Sequence, residues 1–348
     1  MCAMKASITA IEYSLPESLL NNEELAARFS DWTSEKIADK TGITERHIAG
    51  EYECASDLAV QACQKLFDSH ACRREDVDFL LFCTQSPDYF LPSTACVIQD
   101  RLGLPTTCGA LDFNLGCSGF VYGVGLAKGL IETAQVKKVL LVTAETYSKF
   151  INENDRSVRT IFGDGAAATL IQAVHIGDET SDEPIGPFIY GTDGRGAKNL
   201  IVPAGGMRQR TCSGDEAQMD EFGNVRASSN LYMNGGEIFS FTLRTVPEAV
   251  DRLLEAMRLH LEDIDLIVFH QANRYMLDHL RKKLKIPEEK FVVDMAHVGN
   301  TVSSTIPIAL SDAAATGRLQ DGQSVMIVGF GVGYSWAATV LRWRMGCS

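Results

Sequence analysis

The sequence lacks several features that define common classes of protein. It has no run of about 18 uncharged apolar residues, the length that a membrane-spanning helix requires, and its first residues show no signal-peptide pattern. Its 10 cysteines include no C-x-x-C pair and no metal-ligand spacing. The formal net charge of −13 disfavours a basic face for nucleic acid. We therefore expect a cytoplasmic protein that binds no metal, membrane or nucleic acid.

The remaining composition is that of a folded domain with a large core. The 348 residues are 45% hydrophobic. Apolar strands are predicted at residues 76–84 and 138–143, and an amphipathic helix is predicted at 54–69. Strands and helices alternate along much of the chain, so the sequence predicts an α/β fold.

Three segments of the first half have counterparts in the second half, in the same order. DFLLFCTQ at 78–85 resembles DLIVFHQ at 265–271, and DFNLGC at 112–117 resembles DMAHVG at 294–299. KKVLLVT at 137–143 likewise resembles QSVMIVG at 323–329. These similarities predict an internal duplication, with halves at residues 1–175 and 176–348. Loops that follow equivalent strands should then meet at one end of the molecule.

Cys117 lies between an apolar strand and a helix rich in glycine and alanine, GFVYGVGLAKGLIETA. A thiol at the start of a helix faces unpaired backbone N–H groups and the positive end of the helix dipole. Both favour the thiolate, so Cys117 is a candidate nucleophile. Considered alone, a cysteine is more often a buried structural residue, and its position does not change that.

His270 and Asn300 lie in two loops of the second half. The duplication makes these loops equivalent to loops of the first half, one of which holds Cys117. Separately, a histidine in the core and an asparagine that caps a helix would explain them. The duplication brings both to the pocket of Cys117, which predicts a catalytic site of these three residues. The glycine cluster at 329–333 precedes a strand-like pattern, so it does not indicate a dinucleotide site. Instead, the N–H groups of Val332 and Cys117 are predicted to form an oxyanion hole.

Several of these motifs together resemble one known family. LGCSGF around Cys117, FGDGAA at 162–167, HQAN at 270–273, GNT at 299–301 and the ending FGVG-Y-S-W are similar to those of the ketoacyl-ACP synthase III family of the thiolase superfamily. The similarity extends from TGITERHI at 41–48 to Trp336. It implies a duplicated thiolase-like fold with five layers, αβαβα, and a homodimer.

The resemblance also implies a reaction, a decarboxylating Claisen condensation of an acyl thioester primer with malonyl-ACP. Cys117 would carry the acyl group, while His270 and Asn300 would stabilise the enolate of the malonyl donor. Coenzyme A and phosphopantetheine thioesters would be substrates, acyl carrier protein would be a partner, and no cofactor would be permanently bound.

Substrate-binding residues follow from the same resemblance, with departures at the entrance. Family members have a tryptophan and an arginine shortly before TGI, whereas this chain has Lys36 and Lys40 there and Trp32 one helical turn earlier. Either Trp32 stacks on the adenine of coenzyme A, or the primer arrives on a carrier protein. Arg156 would flank the nucleotide, and Leu91 would line the acyl pocket across a dimer interface.

A basic group follows HQAN in this otherwise acidic chain, consisting of Arg274, Arg281, Lys282 and Lys283. Beside the tunnel mouth it would suit the acidic surface of an acyl carrier protein. A solvated helix face is the other interpretation.

Two other functions are compatible with the sequence. One is a specialised condensing enzyme or acyltransferase of secondary metabolism, for a polyketide, quinolone or similar product. The other is a non-catalytic binding protein on the same scaffold, against which the intact set of Cys117, His270 and Asn300 argues.

Overall fold

The computed structural model describes residues 4–29, 31–175, 183–210 and 216–344. Its first elements are β1 (Met4–Ser14), β2 (Leu19–Asn21), α1 (Asn22–Arg28), α2 (Ser34–Thr41), β3 (Glu45–His47), α3 (Ala55–Asp68) and β4 (Phe79–Cys83). Next come α4 (Thr94–Leu102), β5 (Gly109–Phe113), α5 (Gly119–Glu132), β6 (Lys138–Glu145), α6 (Arg156–Arg159) and β7 (Gly165–His175).

The later part of the chain begins with short strands and a long helix. These are β8 (Ile189–Thr192), β9 (Leu200–Ile201), β10 (Gln218–Met219), β11 (Val225–Arg226), β12 (Tyr232–Met233) and α7 (Gly235–Met257). The remaining elements are β13 (Leu266–Phe269), α8 (Arg274–Leu284), α9 (Thr305–Ala315), β14 (Ser324–Gly331) and β15 (Ser335–Arg342).

Two mixed sheets form the framework of the molecule. The first has five strands in the order β1-β7-β6-β4-β5, and the second has four in the order β13-β14-β15-β8. In each sheet the central strands are almost entirely buried, as in β6 and β14. Continuous apolar runs such as VLLV at 139–142 produce this burial, because both faces of the sheet are covered by helices.

The helices form three layers around these sheets. Apolar residues of α5 and α9 cluster with residues of both sheets, so these two helices lie in the middle. The outer face of the first sheet is covered by α3 and α4, and that of the second sheet packs against α7 and α8. The architecture is therefore α-β-α-β-α. None of the described helices is long and apolar enough to span a membrane.

The small residues of α5 permit its central position. At Gly123 an added Cβ would lie 2.5 Å from Leu141 of β6, so only glycine allows this distance between helix and sheet. The close packing fixes the first turn of α5, which directly follows Cys117.

The expected equivalence of the two halves is only partial in the structure. All strands of the first sheet lie within residues 4–175, and those of the second lie within 189–342. The segment around Asp294, which resembles β5 in sequence, is not a strand, because only Phe291 bridges Ile267 of β13. Residue 176 lies outside the described residues, so a boundary between 175 and 176 stays a proposal.

Candidate active site

Cys117, His270 and Asn300 line one cavity of about 280 Å³. Cys117 lies immediately before α5, His270 immediately after β13, and Asn300 in the loop that leads to α9. All three side chains are buried. The structure thus brings the three candidate catalytic residues together from three separate elements.

The sulfur of Cys117 faces backbone N–H groups in a tightly packed surrounding. Burial raises the pKa of the Cys117 thiol to about 12, while the N–H groups of Val332 and of Cys117 itself favour the thiolate. A Cβ at Gly331 would lie only 2.7 Å from this sulfur, so the backbone of the β14–β15 turn approaches it closely. The free protein therefore holds a neutral thiol. The thiolate expected from the helix start is not formed, because loss of hydration outweighs the N–H groups.

The imidazole of His270 is neutral, and one of its two nitrogen atoms has a fixed hydrogen-bond partner. Burial lowers its pKa to about 3. Its Nδ1 lies 2.7 Å from the hydroxyl oxygen of Thr305, which in turn lies 3.0 Å from the carbonyl oxygen of Val302. When Thr305 donates to Nδ1, Nε2 carries the proton and is a donor; when Thr305 donates to Val302, Nε2 is an acceptor. The position of the Thr305 hydroxyl proton therefore determines whether Nε2 of His270 donates or accepts a hydrogen bond.

The amide of Asn300 is oriented by two backbone groups. Its Oδ1 accepts from the N–H of Val302 at 2.9 Å, and its Nδ2 donates to the carbonyl oxygen of Ala272 at 3.2 Å. Val302 has a φ of 55°, a strained conformation for a β-branched residue. The second Nδ2–H of Asn300 remains available as a donor in the cavity that Asn300 lines.

Glu145, at the end of β6, was not predicted from the sequence. Its carboxyl group accepts from the N–H of Gln85 and from the hydroxyls of Ser86 and Ser303 at 3.0–3.2 Å. Burial raises its pKa to about 8. It thereby joins the loop after β4 to the segment that follows Asn300. A carboxyl group directly after the apolar run at 138–144 was the available signal.

A second cavity adjoins the active-site cavity on the side of Trp32. Trp32 and Arg156 line it, and Ser157, Met233 and Gly235 line both cavities. Together the two cavities form a tunnel with Trp32 and Arg156 at its mouth.

The tunnel mouth is cationic on the side of α2. The ammonium groups of Lys36 and Lys40 lie 5.4 Å and 4.7 Å from the centre of the Trp32 ring. Arg156 pairs with Asp31 at 3.5 Å. The structure thus groups all four predicted entrance residues, although Trp32 does not occupy the family's usual position in the sequence.

The basic group after HQAN is only partly available to a partner. Arg274, Lys282 and Lys283 are exposed. Arg281 turns back to the carbonyl oxygen of Ile286 at 3.4 Å and pairs with Glu288 at 3.6 Å. Lys283 also turns back, because its ammonium group donates to the carbonyl oxygen of Leu243 at 2.7 Å. Contact with a carrier protein would therefore come mainly from Arg274 and Lys282.

Leu91 lies outside both cavities. It belongs to an exposed apolar loop with Tyr89 and Phe90, and these three residues are 61–81% exposed. In the single chain it therefore lines no acyl pocket.

The pKa shift of Cys117 predicts its reactivity towards iodoacetamide. Alkylation requires the thiolate, so its rate should increase about tenfold for each pH unit from pH 7 towards pH 11. Quantitative mass spectrometry of the peptide that contains Cys117 measures this. A plateau beginning at pH 8 would contradict a pKa of about 12.

The same shift has a consequence for stability. The pKa of the thiol is 9.0 in the unfolded chain and about 12 in the folded one, so the unfolded state binds fewer protons between these values. The contribution of Cys117 to the free energy of unfolding is therefore complete below pH 9 and decreases above it.

A duplicated five-layer α/β fold with a buried cysteine at a helix start, opposite a histidine and an asparagine, defines a thiolase-like condensing enzyme. Comparison with known proteins makes this more specific. The family models "3-Oxoacyl-[acyl-carrier-protein (ACP)] synthase III" and its C-terminal counterpart match residues 111–194 and 254–343. The chain belongs to the 3-oxoacyl-[acyl-carrier-protein] synthase III family.

Individual relatives agree over nearly the whole chain. The beta-ketoacyl-[acyl-carrier-protein] synthase III of Clostridioides difficile is 37% identical, covering 98% of this chain and 99% of its own. A solved 3-oxoacyl-(acyl-carrier-protein) synthase III is 54% identical with a TM-score of 0.95, covering 97% and 100%. The Burkholderia xenovorans synthase is 35% identical with a TM-score of 0.88, covering 98% and 95%. The predictions of the family, the thiolase-like fold and an acyltransferase are thereby confirmed.

Proposed function

We propose that this protein condenses an acyl thioester primer with malonyl-ACP, with loss of carbon dioxide, to give a 3-ketoacyl thioester that initiates fatty-acid synthesis. The observation that carries the proposal is the cavity shared by Cys117, His270 and Asn300, in which the Val332 N–H faces the thiol. The tunnel to the surface gives a long thioester access to this cavity.

In the first half-reaction the sulfur of Cys117 attacks the carbonyl carbon of the primer. The negative oxygen that forms accepts from the N–H groups of Cys117 and Val332. The proton of the Cys117 thiol passes to the sulfur of the departing carrier, and the imidazole of His270 stays neutral throughout. A new S–C bond replaces the old one, and the acyl group stays on Cys117.

In the second half-reaction the malonyl thioester occupies the emptied tunnel. Its carbonyl oxygen accepts from His270 Nε2–H and Asn300 Nδ2–H, which stabilise the negative charge as the bond to carbon dioxide breaks. The resulting enolate carbon attacks the acyl carbonyl on Cys117. The S–C bond breaks, and the thiolate of Cys117 takes up a proton. Decarboxylation generates the enolate, so no base is needed to remove a proton from the donor.

The tunnel mouth suits a carrier with phosphate groups. Trp32 offers an aromatic face, and Lys36, Lys40 and Arg156 offer positive charge in a protein with a net charge of −13. We assign this mouth to coenzyme A, and the exposed side chains of Arg274 and Lys282, with Lys283 beside them, to acyl carrier protein. The KM of acyl-CoA relative to that of the matching acyl-pantetheine measures the contribution of the mouth.

We further propose that the protein is a homodimer. β5 pairs only with β4, so its outer edge is free, and Leu111 on this strand is 47% exposed. The exposed loop with Leu91 is a second apolar surface without a partner in the single chain. A second copy that pairs along β5 would cover both, and would give Leu91 its place beside the acyl pocket.

The free thiols of the described cysteines also support a reducing, cytoplasmic location.

Leu111→Glu should weaken this dimer at least tenfold. The substitution buries a charge at the proposed interface, and one unpaired carboxylate there costs several kcal/mol. Light scattering of dilution series measures the dissociation constant, and Glu255→Gln, an exposed position on α7, is the control. An unchanged dissociation constant, or a wild-type protein that is monomeric at every concentration, would contradict the proposal.

The proposed function is tested by weighing the intact protein after incubation with a panel of acyl-CoA and acyl-ACP primers. The expected result is one acyl adduct on Cys117, which malonyl-ACP discharges into a 3-ketoacyl product. An adduct that malonyl-ACP leaves untouched would favour acyl transfer or another extender, as in specialised metabolism. No adduct from any primer would favour the binding scaffold.

A further inference from the structure

A separate chamber of about 330 Å³ lies on the other side of the oxyanion hole. Leu200 lines both this chamber and the cavity of Cys117, and Val332, whose N–H faces the sulfur, is part of its wall. The cavity for the carrier adjoins that of Cys117 at Ser157, Met233 and Gly235, none of which lines the chamber. This neighbourhood makes the chamber the candidate space for an acyl group carried by Cys117, an inference that rests on the proposed function.

Three polar side chains in the wall of this chamber are joined in a chain of hydrogen bonds. The hydroxyl of Tyr147 donates to Gln85 Oε1, and Gln85 Nε2 donates to Asn114 Oδ1 at 3.0 Å. These residues come from the segments that follow β6, β4 and β5. The chain of bonds lies beside the nucleophile, because a Cβ at Gly116 would be 2.5 Å from Gln85 Oε1.

This arrangement leaves hydrogen-bond donors unused. Gln85 Nε2 has a second N–H, and Asn114 Nδ2 has two, for which the described residues provide no acceptor. Tyr147 is 4% exposed and Gln85 is partly buried, so water has less access to these two side chains than to Asn114, which is exposed. An alkyl chain placed here would cover the donors without pairing them, whereas an oxygen atom would accept from them.

The charges around the chamber restrict the functional group of the primer to which that oxygen can belong. The described residues that line it include no lysine or arginine. The carboxyl group of Glu145 accepts from the backbone N–H of Gln85 directly behind the wall. A primer with its own carboxylate would lose hydration in this chamber and would find no cation to balance its charge.

We propose that this chamber selects a short primer that carries an uncharged oxygen, as a hydroxyl or keto group, within a few bonds of the thioester carbonyl. Gln85 is the main specificity-determining residue, and Tyr147 is a positioning residue that holds its amide. Asn114 is exposed in the single chain and lies next to the free edge of β5, where the proposed second copy would cover it.

The test compares four primers of equal chain length as coenzyme A thioesters, the butyryl, 3-hydroxybutyryl, 3-oxobutyryl and succinyl forms. The rate constant of acyl-enzyme formation is followed by intact mass, with acetyl-CoA as a reference too short to reach the amide of Gln85. We expect the two uncharged oxygenated primers to react at least about tenfold faster than butyryl-CoA and succinyl-CoA.

Variants of the chamber distinguish an effect on primer selectivity from an effect on folding. Gln85→Leu should bring the ratio of hydroxybutyryl to butyryl to about one or below, and Tyr147→Phe should reduce it, while acetyl-CoA still reacts. Ile201→Leu, in the apolar wall of the same chamber, is the control and should leave the ratio unchanged.

The outcomes distinguish this inference from the function on which it rests. Butyryl-CoA that reacts as fast as the oxygenated primers, or a ratio that Gln85→Leu does not change, would overturn the inference and leave the condensing function intact. Failure of every primer, acetyl-CoA included, would overturn both.

Discussion

Cys117→Ala is expected to abolish acyl-enzyme formation and to lower the rate of condensation on the order of 10⁴-fold or more, as removal of other enzymatic nucleophiles does. The reason is that no other described thiol lines the cavity with His270 and Asn300. Intact mass after incubation with the best primer, followed by product analysis with malonyl-ACP, measures both effects.

Cys96→Ser is the matched control, because Cys96 is an exposed free thiol on α4. It should keep both acylation and condensation. An adduct of acyl mass that persists in Cys117→Ala, or a loss of less than about tenfold, would show that the acyl group is carried elsewhere or is never covalently bound.

The sequence alone was sufficient to predict that three candidate residues lie together, while their catalytic roles stay predictions. Cys117, His270 and Asn300 each follow a segment that recurs between the halves, and in such a fold equivalent strand ends meet. The structure confirms that they share a cavity. The prediction succeeded because it needed only strand order and the spacing of motifs, both of which are local properties of the chain.

The electrostatics of the site could not be predicted in this way. The start of α5 suggested a thiolate at Cys117, but the balance depends on burial by residues such as Phe330 and Leu200 that are distant in sequence. For the same reason Glu145 was missed, since its three donors come from two separate loops. Desolvation is a property of packing, which no short motif encodes.

The polar lining of the acyl chamber also could not be predicted from the sequence. Tyr147, Gln85 and Asn114 lie on three separate segments, and each looks like an ordinary loop residue in the sequence. Their shared wall appears only when β4, β5 and β6 are placed side by side in one sheet. Arg281 is a similar case, because its inward turn to Ile286 depends on the path of the chain after α8.

Asn300→Ala should separate the two half-reactions. We expect condensation with malonyl-ACP to decrease about 100- to 1,000-fold, because one of the two donors to the developing enolate oxygen is lost. Formation of the acyl-enzyme should change less than about threefold, since the N–H groups of Cys117 and Val332 serve that step. Single-turnover intact mass measures acylation, and release of carbon dioxide with ketoacyl product measures condensation.

Asn300→Asp makes the same prediction sharper. A carboxylate oxygen at this position still accepts from the N–H of Val302, the bond that Oδ1 now makes at 2.9 Å, so the loop keeps that contact. The substitution replaces the Nδ2–H donor with an acceptor that bears negative charge, so decarboxylation should be at least as slow as in Asn300→Ala. Asn154→Ala, in an exposed loop, is the control. Equal losses in both half-reactions would contradict an enolate-stabilising role and would assign Asn300 to the folding of the loop instead.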